Sequence, residues 1–305
     1  MSQQTETKQK VLITGASGLI GRALIPLLTS QGYQVYTLQR TVSDTEPYWL
    51  IDQQKINLNS APQPDIIIHL AGENIANGRW TEKVKQKITD SRVKSTQLIV
   101  DFINDSATPP SLFICASAIG FYGNSGQQPV NEESSQGNEF VSQLAAQWEQ
   151  TSHQVKTSNT RVVNLRTGIV LNKQQGALAK MLPAFKMGVG GKIGKGEQIM
   201  SWIDLTDQVN AILFIIRNSK LTGPVNLVSP HPVTNRNFSV ILANILNRPC
   251  ILPLPAFMVK LLFAEMGEAL LLSSTNVRPT KLLEAGFTFQ YDLLEDSLKH
   301  QLRGQ

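Results

Sequence analysis

Cysteine is scarce in this sequence. Its 305 residues include two, Cys115 and Cys250, which lie far apart in the chain. Neither belongs to a Cys/His pair with the spacing of metal ligands, so we expect no metal site. Free thiols of this kind are typical of a reducing compartment, which predicts a cytoplasmic protein.

Long uncharged hydrophobic runs and clusters of basic residues are also missing. The longest apolar region, residues 256–272, is interrupted by Lys260, Glu265 and Glu268, so it lacks the continuous span that a membrane helix needs. We expect an amphipathic helix there, covering a pocket or a subunit contact. Residues 1–10 are polar and do not resemble a signal peptide. The formal net charge is +5, but the basic residues are scattered singly, which argues against nucleic-acid binding.

What the sequence does contain is a glycine-rich stretch near its start, residues 11–21. A short apolar strand runs into three glycines and then into a helix, an order that predicts a dinucleotide-binding turn. The amino end of that helix directs free N–H groups and a positive dipole at the loop, which favours a diphosphate. A turn without a ligand is the alternative. The predicted cofactor contacts in this loop are Gly15, Ser17, Gly18, Leu19, Ile20 and Gly21.

Strands and helices alternate through the first half of the chain, which predicts an α/β fold. We expect a Rossmann-like, doubly wound parallel sheet in residues 1–167, with segments around 200–230 returning to it. Residues 168–305 would form mainly a smaller C-terminal substrate domain. The predicted helices include 19–31, 81–104 and 138–151, the last with Asn138 as its N-cap. The predicted strands include 35–38, 65–72, 111–116 and 161–165.

The tip of the second strand bears on the choice of cofactor. Arg40 follows that strand and no Asp or Glu occupies the tip. In dinucleotide folds an acidic residue here accepts from the ribose 2′-hydroxyl, whereas an arginine pairs with a 2′-phosphate. The sequence therefore predicts NADP in preference to NAD, with a solvated surface arginine as the alternative.

Small residues at the ends of two buried strands are a further sign of a ligand. Leu70, Ala71 and Gly72 end one strand, and they would let a cofactor lie against its terminus. His69, within that strand, is predicted to be a core residue. Residues 117–123 follow the next strand and include a serine and a tyrosine. Since ligands of open α/β sheets bind at the carboxyl ends of strands, we expect these two ends to flank the point where strand order reverses.

Together these landmarks resemble the extended short-chain dehydrogenase/reductase superfamily, which includes NAD(P)-dependent sugar epimerases and dehydratases. Residues 14–21, 65–72, 117–123, 166–168 and 202–207 resemble its motifs over nearly the whole chain. Residues 70–75, 79–81, 201–203 and 286–287 are similar to an atypical, epimerase-like subfamily with a characteristic C-terminal domain. The resemblance implies a cofactor contact at Arg166, oxidoreductase or isomerase chemistry, and a possible homodimer through the two long helices.

One departure from the superfamily concerns its catalytic pair, a Tyr four residues before a Lys. No Tyr-x-x-x-Lys occurs in this chain, and Phe140 and Leu144 stand in the helix expected to carry it. We expect both to be core positions. Arg92 stands near the place of the superfamily's structural asparagine. The resemblance therefore implies that this chain binds the superfamily's cofactor, but it does not imply catalysis by a tyrosine.

The remaining candidates for chemistry lie near the strand ends and in a glycine-rich loop. Tyr122 is the nearest phenol available as proton donor, with Ser117 as its orienting partner, and a structural role is the alternative for each. A small polar, nucleotide-linked substrate would meet the predicted substrate residues Glu73, Arg79, Trp80, Lys192 and Lys195. The sequence predicts an NADP-binding, epimerase-like oxidoreductase or isomerase; the alternative is a catalytically impaired NADP-binding sensor or regulatory protein.

Overall fold

The computed structural model describes residues 8–76 and 78–303. Its strands form one large sheet and several two-stranded pairs. In chain order they are β1 Lys10–Thr14, β2 Gln34–Thr37, β3 Tyr48–Leu50, β4 Lys55–Asn57, β5 Ile66–His69, β6 Leu112–Ala118, β7 Pro129–Val130, β8 Arg161–Thr167, β9 Ile169–Leu171, β10 Ile199–Met200, β11 Trp202–Asp204, β12 Gly223–Leu227, β13 Val233–Thr234 and β14 Asn276–Val277.

Helices cover both faces of the large sheet and build the C-terminal part. They are α1 Leu19–Ser30, α2 Glu82–Asn104, α3 Phe140–Ser152, α4 Gly176–Lys186, α5 Leu205–Arg217, α6 Asn235–Ile245, α7 Ala256–Gly267, α8 Thr280–Glu284 and α9 Leu294–Arg303. Short 3-10 segments span Ile51–Gln53 and Ile119–Tyr122, and a π-helical turn spans Glu268–Leu272. Among the residues described, no helix is both long and apolar enough to cross a membrane.

The large sheet has six strands in the order β12-β8-β6-β5-β1-β2, and every pairing in it is parallel. This is the doubly wound, Rossmann-type arrangement that the sequence predicts. Strand order reverses between β1 and β5. The expectation that the reversal lies between the strands ending near Gly72 and Ser117 is therefore wrong, because those two strands, β5 and β6, are consecutive neighbours on one side of it.

The sheet is buried on both faces because consecutive positions of its central strands carry apolar side chains, as in Val11, Leu12 and Ile13 of β1. Val11 and Ile13 of β1 face one layer, where α1 and α5 contribute Leu24 and Ile212. Leu12, between them, faces the opposite layer, packing with residues of α2 and α3 that include Ile99 and Trp148. Because alternate side chains of β1 pack into opposite helical layers, the sheet lies between the two layers of helices.

Later segments build a second hydrophobic core. α4, α6 and α9 pack around Trp202 and Phe238, which are fully buried. α7 lies on the surface, and its apolar residues are not confined to one buried face: Phe257 is 69% and Leu261 68% exposed, whereas Val259 is buried. The predicted amphipathic pattern is therefore wrong. Cys115 is buried in β6 and Cys250 is half-buried.

α3 begins at Phe140 rather than at residue 138. Its N-cap is Glu139, and Asn138 does not cap the helix. The Glu139 carboxylate accepts hydrogen bonds from the backbone N–H of Asn124 at 3.1 Å and from the Ser142 hydroxyl at 3.1 Å. These contacts fix the entry of the chain into α3, which explains the shifted start.

Candidate functional site

The glycine turn and the end of β5 form a narrow crevice where strand order reverses. Gly15 adopts φ +72°, and a Cβ added to it would lie 2.7 Å from the carbonyl carbon of Leu70 and 2.8 Å from the nitrogen of Ala71. A Cβ on Gly21 would lie 2.5 Å from the Gly15 oxygen. Gly18 is the N-cap of α1 and offers no side chain to cover the helix end. The crevice can therefore expose backbone N–H groups to an anionic ligand.

A buried histidine holds the two walls of this crevice in register. His69 Nδ1 lies 2.7 Å from the Thr14 hydroxyl, and His69 Nε2 lies 3.1 Å from the Ser95 hydroxyl. The Thr14 hydroxyl also accepts a hydrogen bond from the Ala71 backbone N–H at 3.2 Å. Burial lowers the pKa of His69 to about 3, so the ring is neutral at physiological pH. These contacts are those of a satisfied core histidine.

Arg40 lies at the tip of the second strand and is exposed. The backbone of Gln39 is fixed by hydrogen bonds with Pro47 and Trp49, so the residue after it has a defined position at the sheet edge. In the part of the chain that the structure describes, no carboxylate forms an ion pair with Arg40. The guanidinium is thus available to a phosphate.

Ser117 and Tyr122 belong to a group of buried polar side chains that we call the sealed cluster; its members are Ser117, Tyr122, Glu132, Glu149, Arg166 and Asn226. Arg166 donates to both carboxylate oxygens of Glu149 at 2.8 Å, and Ser117 donates to Oε1 of Glu149 at 2.6 Å. Tyr122 donates to Oδ1 of Asn226 at 2.7 Å and accepts from Arg166 at 3.0 Å.

The hydrogen bonds of the sealed cluster affect the roles predicted for Ser117, Tyr122 and Arg166. Burial raises the pKa of Tyr122 to about 12, which counts against the proton-donor role that the sequence assigns to it. Ser117 and Tyr122 are each only 5% exposed. Arg166 uses four of its five N–H donors on Glu149, Tyr122 and the carbonyl of Glu132. Its guanidinium faces this cluster, so the cofactor and catalytic roles of these three residues stay predictions.

A separate cavity of about 720 Å³ opens between the sheet edge and the C-terminal part. We call it the open pocket. Its wall combines two aromatic rings with charged and amide side chains, a mixture suited to a polar, hydroxylated ligand. The lining residues that bear on its chemistry are Trp80, Asn124, Gln127, Glu139, Phe140, Lys195, Glu197, Gln198, Lys260, Glu265, Glu268 and Ser274.

Two of the five predicted substrate residues, Trp80 and Lys195, line the open pocket. The other three have different surroundings. Glu73 forms an ion pair with Lys87 at 3.2 Å, and the side chain of Lys192 packs against Gly196. Arg79 donates to the carbonyls of Leu261 and Leu262 in α7. These three do not line the pocket, so their role in substrate binding stays a prediction.

The two positions that replace the superfamily's catalytic pair have different environments. Leu144 is 5% exposed and belongs to a core cluster, as predicted from the sequence. Phe140 is only half-buried and lines the open pocket, with its ring edge-on to Trp80 at a centroid distance of 5.2 Å. Phe140 packs against the same core cluster as Leu144, so the core prediction is confirmed in part, but α3 begins at this residue and its ring also faces the cavity.

Several pocket residues escape prediction from sequence. Glu139 precedes Phe140 and lies in the pocket wall. Burial acts to raise its pKa, but hydrogen bonds from the Asn124 backbone and from Ser142 outweigh that effect and lower it below the ordinary range. Lys85 pairs with Glu265 at 2.7 Å, tying α2 to α7. The apolar region 256–272, predicted to cover a pocket or a subunit contact, does line this pocket, with Lys260, Glu265 and Glu268 in its wall.

Comparisons with known proteins agree with this geometry. Residues 11–228 match the NAD dependent epimerase/dehydratase family, and residues 254–301 match a domain of unknown function, DUF1731. The chain therefore belongs to the NAD dependent epimerase/dehydratase family. An epimerase family protein of Mycobacterium bovis is 37% identical over 290 residues, which cover 94% of this chain and 96% of the relative.

Solved structures extend the likeness to three dimensions. The human epimerase family protein SDR39U1 (isoform 2), whose crystal structure contains NADPH, has a TM-score of 0.90 and 30% identity, covering 97% of this chain and all of that chain. A nucleoside-diphosphate sugar epimerase from Corynebacterium glutamicum has a TM-score of 0.78 and 29% identity, covering 97% of this chain and 58% of that one. The cofactor of the human protein agrees with the choice of NADP predicted from Arg40.

Proposed function

We propose that this protein is an NADP-dependent oxidoreductase or isomerase that acts on a small, polar, hydroxylated substrate. One observation carries the proposal: the chain leaves the glycine crevice at Gly72 and reaches the wall of the open pocket at Trp80. A dinucleotide held at Gly15 and extending across the carboxyl ends of β1, β5 and β6 would approach this pocket. The bound cofactor would supply hydride transfer, and the residues of the chain would bind and orient its reaction partner.

The choice of NADP rests on Arg40. A guanidinium paired with a 2′-phosphate is worth about 1.5–3 kcal/mol, or roughly tenfold to a hundredfold in affinity. Arg40→Ala should therefore weaken NADPH by that factor and leave NADH unchanged in a fluorescence titration. Arg22→Ala, which removes an exposed arginine from α1, is the matched control. Equal affinity of the wild type for NADH and NADPH would contradict the assignment.

The proton acceptor in this proposal is Glu139. Its carboxylate lines the open pocket beside Phe140 and is ionised at neutral pH, although the hydrogen bonds that lower its pKa also make it a weaker base. An ionised carboxylate can accept a proton from a substrate hydroxyl as hydride leaves the same carbon. Tyr122 with Ser117 is the competing assignment from sequence. Glu139→Gln and Tyr122→Phe separate the two, since only the true participant should lower turnover by about a hundredfold.

A second function, an NADP-binding sensor without catalysis, is favoured by the apolar residues Phe140 and Leu144 at the positions of the usual catalytic pair. Transfer of deuterium from NADPH labelled at C4 to a metabolite mixture distinguishes the two, with mass spectrometry as the readout. Label should appear in one polar metabolite with wild type. It should be absent with Gly15→Ala, whose added Cβ would collide with the backbone of Leu70 and Ala71 and displace the glycine turn. Tight NADPH binding without label transfer to any metabolite would favour the sensor.

A further inference from the structure

Arg92 is a half-buried cation on α2; the Glu73 carboxylate lies near enough to act on its charge but forms its ion pair with Lys87. Its Nη1 donates to the carbonyl of Ile88 at 3.1 Å and its Nη2 to the carbonyl of Glu73 at 3.0 Å. The guanidinium lies 5.0 Å above the ring of Trp148. Within residues 8–76 and 78–303, no Asp or Glu forms an ion pair with it. Burial lowers its pKa to about 10, so it keeps its charge at neutral pH.

The Arg92 guanidinium lies beside the cofactor crevice. A Cβ added to Gly72 would lie 3.4 Å from the Arg92 Cζ. Gly72 directly follows Ala71, whose backbone nitrogen abuts Gly15 in the opposite wall. The positive charge therefore lies at the carboxyl end of β5, beside the place where the glycine turn would hold a diphosphate.

The same guanidinium is close to the position of the missing lysine. Leu144, which replaces that lysine, precedes Trp148 by one helical turn, so both residues lie on one face of α3. Arg92 stacks on Trp148 from the neighbouring helix. A cation from α2 thus lies about one turn from the position where relatives place an ammonium on α3.

A half-buried arginine with unused N–H donors is suited to binding an anion. A buried charge is costly unless it is paired, and a guanidinium with unused donors binds phosphate oxygens in a fork geometry. Two of the five N–H donors of Arg92 are accounted for by carbonyls, which leaves three. We infer that Arg92 binds the nicotinamide-side phosphate of the NADP(H) diphosphate. This inference rests on the cofactor assignment made above.

Cofactor fragments test the inference. The probes are NADPH, ADP-ribose 2′-phosphate, which retains both phosphates of the diphosphate, and 2′,5′-ADP, which retains only the adenosine-side phosphate. Arg92→Gln should weaken NADPH and ADP-ribose 2′-phosphate by about tenfold to a hundredfold while changing 2′,5′-ADP by less than about twofold. Arg92→Lys should recover part of the loss, because it restores the charge without the fork. Lys83→Gln, which removes an exposed charge from the same helix, should change none of the three.

Two results would overturn the inference. Equal weakening of all three probes by Arg92→Gln would show that Arg92 merely supports the loop through the Glu73 carbonyl. Unchanged binding of all three would show that the guanidinium faces no phosphate. If the wild type itself bound neither NADPH nor 2′,5′-ADP, the cofactor assignment would fail first, which distinguishes that failure from one at Arg92. Arg92→Lys provides the comparison if Arg92→Gln does not fold.

Discussion

The sealed cluster and the open pocket are built from the same stretch of chain but have opposite properties. Tyr122 lies in the first with its hydroxyl bonded to Asn226 and Arg166, whereas Asn124, two residues on, lines the second. Gly123 separates them with φ +65°, and a Cβ there would collide with the Glu139 carboxylate. The turn therefore directs one polar side chain inward and the next one outward.

This difference indicates which polar residues stabilise the fold and which remain free for a ligand. In the sealed cluster, buried hydroxyls and charges bond to one another, so removing a member should cost stability. In the open pocket, exposed side chains such as Lys195 contact solvent, so removing them should cost little. Polar residues that follow a strand end are therefore not all equivalent candidates for catalysis.

The largest expected effect is that of breaking the ion pair of the sealed cluster. Arg166→Met leaves the Glu149 carboxylate buried without its cation, and we expect the free energy of unfolding to fall by about 3–5 kcal/mol. Urea unfolding followed by circular dichroism measures it. The double variant Glu149→Leu, Arg166→Met should recover much of the loss because it leaves no unpaired charge in the protein interior. A loss below about 1 kcal/mol in the single variant would show that the cluster is not sealed.

A smaller effect is expected at Tyr122. Tyr122→Phe removes the donor to Asn226 and leaves a buried amide oxygen unpaired, which costs about 1–3 kcal/mol. NADPH affinity should stay unchanged, since the hydroxyl faces the cluster rather than the crevice. Thermal unfolding and cofactor titration measure the two effects. Unchanged stability together with a hundredfold loss of turnover would place Tyr122 in the chemistry instead.

Glu132 gives the sealed cluster a pH dependence. Burial raises the pKa of this carboxyl, although hydrogen bonds from the backbone N–H groups of Asn226 and Lys281 oppose the shift. Its folded pKa lies above the unfolded one, so its contribution to stability is complete below the ordinary value of about 4.3. That contribution is lost as pH rises through the folded pKa.

Glu132→Gln removes this titration. The Tm of wild type relative to that of the variant should therefore fall between about pH 4 and pH 7. Differential scanning fluorimetry across that range measures the difference. Glu133→Gln, at the exposed neighbouring position, is the control and should show no such trend. Two parallel Tm profiles for wild type and Glu132→Gln would contradict the prediction.

The smallest effect is expected in the open pocket. Lys195 is exposed, and Lys195→Ala should change the free energy of unfolding by less than about 0.5 kcal/mol. The same urea series measures it. A loss of more than about 1 kcal/mol would mean that the pocket wall is as tightly coupled to the fold as the sealed cluster.

The parts of the molecule that the sequence predicts are those that depend on local pattern. The glycine turn, the buried parallel strands and the burial of His69 and Leu144 follow from neighbours within a few positions. The surroundings of Arg166 do not, because its partner Glu149 comes from a different element, and its resemblance to a cofactor motif hides that pairing. The contacts of the pocket wall are equally hard to predict, since Glu265 of the wall pairs with Lys85, which lies more than half of the chain away in sequence.

The reactivity of Cys115 and Cys250 can report on how often two different parts of the protein open. Burial raises the pKa of the Cys115 thiol far more than that of Cys250, and the Cys115 side chain is fully buried in β6. A thiol reagent should therefore modify Cys250 after small local openings and Cys115 only after the central sheet separates. The labelling rates of the native chain would report, without any engineered probe, how much more often its C-terminal loops open than its core.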